Sequence, residues 1–204
     1  MPKGAKFNQH GRLLTVQVGA VLTIGLLAVS APGIPEASNV HETIEALGFA
    51  MILMAVAGRL WSILYIGGRK SNELISSGPF SMTRNPLYFF STVGAVGAGL
   101  VFGSILVAAS LGVGTYILFR FTADKEAEHL LRIFGPAYSA YAEATPSFWP
   151  NIRLYHDLPN WLFSTSALRS TFIDGLFFLA VVPALELFEL LRASGVLPTL
   201  FRIY

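Results

Sequence analysis

The chain has no cysteine. That absence excludes disulfides, thiolate catalysis and cysteine-based metal sites. It also has little charge: 13% of its 204 residues are Asp, Glu, Lys or Arg, and 53% are hydrophobic. Soluble domains carry about 25% charged residues. The deficit is what a bilayer demands, so the composition predicts an integral membrane protein of one domain over residues 1–204. A net charge of +2 with no basic run gives nucleic acid nothing to bind. There is no Walker-type loop, no GxGxxG, no HExxH and no Ser-His-Asp spacing. No metal ligand set is expected.

What is present is a series of apolar runs, which predict an all-α, polytopic fold of about five transmembrane helices. Leu13 to Ala31 is free of charge and long enough to cross about 30 Å of hydrocarbon. Val29-Ser30-Ala31 resembles a signal-peptide cleavage site, but the run is long for a signal peptide and Pro32 suits the residue after a cut poorly. Ile44 to Ile66 is the second span, and it contains Arg59. A cation in lipid needs a reason: it snorkels to the nearer end or lines a polar cavity. Pro86–Phe102 and Ile105–Phe121 are short, Gly-rich spans joined by Gly103-Ser104. Gly94, Gly97, Gly99, Gly112 and Gly114 would let their backbones approach closely as a tight hairpin. Ala123 to Ala144 reads as helical, broken near Gly135-Pro136. Trp149, Tyr155 and Trp161 fit an interfacial aromatic belt. Thr171 to Leu191 is the fifth span, with a tail to Tyr204 expected as an interfacial helix.

The basic residues set the orientation. Lys3, Lys6 and Arg12 precede the first span, and the 32–43 loop has none. Arg69, Lys70 and Arg84 follow the second span, and the 103–104 turn has none. Arg120, Lys125, Arg132, Arg153 and Arg169 follow the fourth. The alternation predicts a cytoplasmic N-terminus, a cytoplasmic connector and a cytoplasmic 122–170 segment (the inner membrane, in a bacterium). The C-terminus falls outside.

The connector is the most distinctive stretch: Ser77-Gly-Pro-Phe-Ser-Met-Thr-Arg-Asn-Pro-Leu-Tyr88. Gly78-Pro79 marks a turn. Pro86 suits the first position of a helix, where its missing N–H is no loss. Arg84 and Asn85 therefore sit just outside a helix N-terminus. Further on, Ala123, Glu126, Leu130, Ile133 and Phe134 share one helical face. Glu126 points with that stripe and needs a polar or cationic partner. Glu128 lies four residues before Arg132 and reads as a surface ion pair.

The connector, together with Glu126, Leu130, Phe134-Gly135, Tyr138, Tyr141 and Pro146, resembles the isoprenylcysteine carboxyl methyltransferase and phospholipid methyltransferase superfamily over roughly residues 44–152. The resemblance implies an S-adenosyl-L-methionine-dependent membrane methyltransferase with a cytoplasmic C-terminal cofactor-binding segment. Its acceptor would be lipophilic and drawn from the bilayer lipids: a prenylcysteine carboxylate, a phospholipid amine or a hydrophobic thiol. By the same resemblance, Gly78, Pro79, Phe80, Asn85, Pro86, Tyr88, Glu126, Tyr138 and Tyr141 surround the cofactor. Read from their own chemistry, Arg84 and Arg120 are either the catalytic candidates, binding an anionic substrate head or the cofactor carboxylate, or ordinary interfacial cations at helix ends.

Two positions depart from the family pattern. Ala127 stands where a second glutamate is usual, and Asn85 where the best-known members have histidine. Asparagine cannot take a proton at neutral pH, which tilts the acceptor away from amines. His129 is the nearby titrating residue, expected as a solvated helix-surface side chain. Two other readings stay open. One is an NADPH-dependent sterol-reductase-like enzyme, against which the short chain argues. The other is a non-catalytic membrane scaffold, which the departures keep in view.

Overall fold

The structure is a computed structural model and describes residues 30–33, 38–66, 73–157 and 164–203. Residues 13–29 of the expected first span, and Arg69, Lys70 and Trp161, lie outside the described residues.

Helix α1 covers Asn39–Ile66. It starts five residues before Ile44 because the Ser38 hydroxyl accepts from the His41 amide at 3.1 Å, which caps the first turn. A short helix α2, Pro79–Met82, lies in the connector. Helix α3, Pro86–Val101, opens on its proline. Helix α4 runs Ile105–Phe134, capped by the Ser104 hydroxyl on the Val107 amide. The expected fourth span and the Glu126 segment are thus one rod of 30 residues. It ends at Gly135, whose φ of 53° lies in the left-handed region that favours glycine. Pro136 then starts α5, Pro136–Ala144. A 3₁₀ turn at Ile152–Leu154 precedes α6, Thr165–Ala193.

The described chain is therefore mostly helical. Three helices, α1, α4 and α6, are long and apolar enough to cross a membrane. At 16 residues, α3 is shorter, and its rise of about 24 Å falls short of the hydrocarbon thickness.

Small residues bring the backbones together. A methyl group added at Gly48 of α1 would stand 2.6 Å from the Gly97 carbonyl oxygen of α3. Gly97 thus serves the α1–α3 contact and Gly94 lies against Phe178 of α6 and Ala55 of α1, while Gly99 meets the Ala108 backbone and Gly112 meets Val96 across the hairpin. Gly114 faces open space. The expected hairpin glycines are split among several interfaces, because a helix presents different faces at neighbouring positions. Ile52, Val101, Phe102 and Leu185 form the buried core where α6 crosses the pair.

Three expectations change here. Ser30–Pro32 is a strand, β1, rather than a helix end. The tail is also a strand, β2, Phe201–Ile203, instead of an interfacial helix. The two pair in parallel, Ser30 with Phe201. Arg192 donates to the Ser30 carbonyl at 2.7 Å and ties the end of α6 to β1. Glu128 and Arg132 do not pair with one another.

Arg59 is held between helices rather than reaching for an end. Its guanidinium donates to Ser91, lies 3.8 Å from Asp174 and stacks over the Phe178 ring at 5.6 Å. It lines neither of the cavities described below.

Candidate ligand site

The connector is bound to the segment after α5 by a seam of hydrogen bonds. The Arg84 amide donates to the Pro146 carbonyl at 2.9 Å, and the Asn151 amide to the Met82 carbonyl at 2.9 Å. The Asn85 amide group donates to the Ser147 carbonyl at 2.8 Å. The Thr83 hydroxyl donates to the Phe148 carbonyl and the Tyr141 hydroxyl to the Phe80 carbonyl. Residues more than sixty apart in sequence are thereby fixed without using the backbone groups of the long helices, which are already paired within those helices.

Beside this seam lies a cavity of about 290 Å³. The connector contributes Glu73, Phe80, Arg84 and Asn85 to its wall. Helix α3 contributes Pro86 and Tyr88, α4 contributes Glu126 and His129, and α5 contributes Tyr138 and Tyr141. Glu126 and Tyr88 meet across the hairpin: the Tyr88 hydroxyl donates to Glu126 Oε2 at 2.9 Å. The Tyr88 ring stacks on Phe119 of α4, with centroids 4.9 Å apart. A half-buried carboxylate is thereby given the polar partner it requires.

Arg84 reaches the Tyr138 hydroxyl with one terminal nitrogen at 3.5 Å. Its Nε is buried with no hydrogen-bond partner. Tyr141 lies under Tyr138, and burial holds its hydroxyl protonated well above the usual phenol range, with Tyr138 adding to the shift and Arg84 opposing it.

Of the residues expected around a cofactor, Phe80, Asn85, Pro86, Tyr88, Glu126, Tyr138 and Tyr141 share this one cavity, together with Arg84. Three do not. Gly78, with φ of 59°, is a turn residue against the Tyr65 ring. Pro79 faces a second, apolar cavity on the other side of the connector. Arg120 donates to the Ser147 hydroxyl and lies 3.4 Å from Asp124, so it braces the seam instead of facing the cavity. Its position one helical turn before Asp124 was the signal for that role. The apolar face of α4 runs through Ala123, Glu126, Leu130 and Phe134, while Ile133 is exposed.

Glu73 is a wall residue that the sequence did not single out, and His129, expected as a solvated helix-surface side chain, also belongs to the wall. His129 is exposed yet lines the cavity at its rim, one turn beyond Glu126. The three-residue spacing from Glu126 was the available signal.

The second cavity measures about 700 Å³ and is walled by Trp61, Met82, Phe89, Phe90, Ile152 and Tyr155, with Pro86 shared between the two. Among the described residues, no group of three or more His, Asp or Glu is arranged to hold a metal ion.

Comparison with known proteins adds two findings. The family profile described as phospholipid methyltransferase matches residues 43–137. The chain is also similar to two curated proteins. One is the nickel-cobalt-cadmium resistance protein NccN of Alcaligenes xylosoxydans xylosoxydans, 37% identical over 160 residues, covering 78% of this chain and 75% of that protein. The other is the cobalt-zinc-cadmium resistance protein CzcN of Cupriavidus metallidurans, 35% identical over 158 residues, covering 78% and 73%. No solved structure matches.

Proposed function

We propose that this chain, which belongs to the phospholipid methyltransferase family, is an integral membrane enzyme that methylates a lipophilic acceptor with S-adenosylmethionine. The observation that carries the reading is the convergence of Arg84, Asn85 and Tyr88 from the connector with Glu126 from the far side of the hairpin on one cavity.

The residues present fit this cofactor. The partnerless Nε of Arg84 is a buried donor available to a carboxylate. Glu126 and Glu73 offer anions to an ammonium. Tyr138 and Tyr141 offer aromatic faces to adenine. When bound, S-adenosylmethionine supplies an electrophilic methyl group on a sulfonium. The chain's own part is positioning, which contributes most to a displacement of this kind. NADPH fits less well, since among the described residues Arg84 is the one lysine or arginine on a wall that also holds two carboxylates. The apolar cavity next door suits the tail of an acceptor drawn sideways from the bilayer.

The finer topology belongs to the same proposal. The spans are residues 13–29, helices α1 and α3, the Ile105–Phe121 part of α4, and helix α6. The N-terminus, the connector and the 122–170 segment are cytoplasmic, where S-adenosylmethionine is available. Reporters after Gly68 and Asn151 should be cytoplasmic, and one near Ser38 outside. A cytoplasmic Ser38 would put the cavity on the side without cofactor.

The names of the relatives add a physiological setting: methylation would serve cells exposed to nickel, cobalt, zinc or cadmium. Calorimetry in detergent tests the core of the reading. Micromolar binding of S-adenosylmethionine or S-adenosylhomocysteine is expected, with none of NADPH. Folded protein that binds neither sulfur ligand, with or without lipid, leaves the scaffold reading in its place.

A further inference from the structure

Methyl transfer makes different demands on different acceptors. A carboxylate attacks as it stands. A thiol or an amine must first lose a proton, and something in the cavity must take it.

The connector cannot take it, because its candidate position is Asn85, which is tied to the Ser147 carbonyl and does not titrate near neutrality. The hydroxyls on the wall are also committed. Tyr88 donates to Glu126, and Tyr141 donates to Phe80 and is held protonated by burial. Tyr138 is met by Arg84. Apart from the carboxylates Glu73 and Glu126, which the reading above commits to the cofactor's ammonium, that leaves the imidazole of His129, on the α4 wall one turn from Glu126. Imidazole is the side chain that ordinarily exchanges a proton between pH 5 and 8. The charged groups around it are Glu73 and Arg84 from the connector and Glu126 from its own helix, with Lys125 and Arg132 one turn to either side.

We propose that His129 is the proton acceptor of the reaction, and that the acceptor it serves is a lipophilic thiol. The assignment rests on the methyltransferase reading above. The thiol proton passes to the imidazole. The sulfur lone pair forms the new S–CH₃ bond, and the broken sulfonium C–S bond leaves its electron pair on the donor's sulfur. A thiol suits a base that works near neutral pH: an ordinary thiol ionises at about 8.5, while an alkylammonium holds its proton to about 10.4. A carboxylate acceptor would leave His129 without a task.

The test uses the full-length protein in detergent, His129→Gln as the variant, and dodecanethiol, dodecylamine and dodecanoate as probes. Both proteins should give the same thermal unfolding midpoint in detergent, which shows the variant folded, and wild type should bind S-adenosylhomocysteine. Wild type should methylate dodecanethiol faster than the other two. Its rate should level below the pH at which the thiol itself ionises. The variant should fall roughly a hundredfold at neutral pH, and its rate should keep climbing toward the thiol's own ionisation. The His129 resonance, identified by its loss in the variant, should shift when dodecanethiol is added to the S-adenosylhomocysteine complex.

Wild type that binds S-adenosylhomocysteine but leaves dodecanethiol unmethylated overturns the assignment. So does a variant that keeps the wild-type pH profile, or an unmoved His129 resonance. Wild type that does not bind S-adenosylhomocysteine refutes the methyltransferase reading itself, a different result.

Discussion

The two ends of the helical bundle carry similar residues and differ in what those residues do. At one end, Glu73, Arg84, Glu126 and His129 surround a cavity of about 290 Å³. At the other, His41, Glu45, Glu186, Glu189 and Arg192 enclose a void of only about 10 Å³, roughly one water. At the first end, backbone groups and short side chains make most of the seam, through Pro146, Ser147 and Phe148, with Tyr141 and Arg120 bracing it. The wall side chains there serve the cavity: Glu126 is met by Tyr88, and Arg84 keeps its Nε without a partner. At the second end a long side chain is itself the tie: Arg192 holds β1, and His41 packs over Gly103. A polar cluster becomes a site when other groups do the holding.

The largest test of this contrast removes both sides of the cavity at once. Asn85→Ala with Glu126→Ala should abolish S-adenosylhomocysteine binding, at least a hundredfold or about 2.7 kcal/mol. Glu186→Gln with Glu189→Gln at the opposite end should leave it unchanged. Calorimetry on both doubles decides, and equal losses would erase the distinction.

Next is the contact that joins the ends. Gly48→Leu forces a side chain into the Gly97 carbonyl, and overpacking should destabilise the fold by about 1–3 kcal/mol. Thermal unfolding in detergent reads this, and an unchanged midpoint would mean that α1 and α3 are not in close contact.

A smaller effect separates two neighbours. Glu126→Gln should weaken cofactor binding about tenfold, or 1.4 kcal/mol, since Glu126 lines the cavity. Glu128→Gln, on the exposed side of α4, should change it less than about twofold, well inside that tenfold step. Equal losses would put the helical phase of α4 in error.

The smallest sits in the clasp. Arg192→Ala removes the bond to the Ser30 carbonyl and should lower stability by about 0.5–1.5 kcal/mol. Ligand affinity should hold. A loss of affinity would show that the two ends communicate through α6.

Much of this was legible in the sequence, for local reasons. Apolar runs of fixed length place helices, Pro86 marks a start and Gly135-Pro136 marks a break. The three- and four-residue spacing of Ala123, Glu126, Leu130 and Phe134 put one carboxylate on the inner face. What stayed hidden depends on partners distant in the chain. Ser30–Pro32 and Phe201–Ile203 are strands because they meet each other, and neither carries a strand pattern alone. Arg120 carries the same charge as Arg84, yet it braces Ser147 while Arg84 keeps a bare nitrogen in a cavity.

The sequence by itself determined a membrane-suited helical chain, its connector and the family to which both belong. Only the tertiary structure decided which polar side chains share a cavity and which are spent on structure. Periodicity reports a residue's face on its own helix, whereas a site is formed by the faces of several helices meeting.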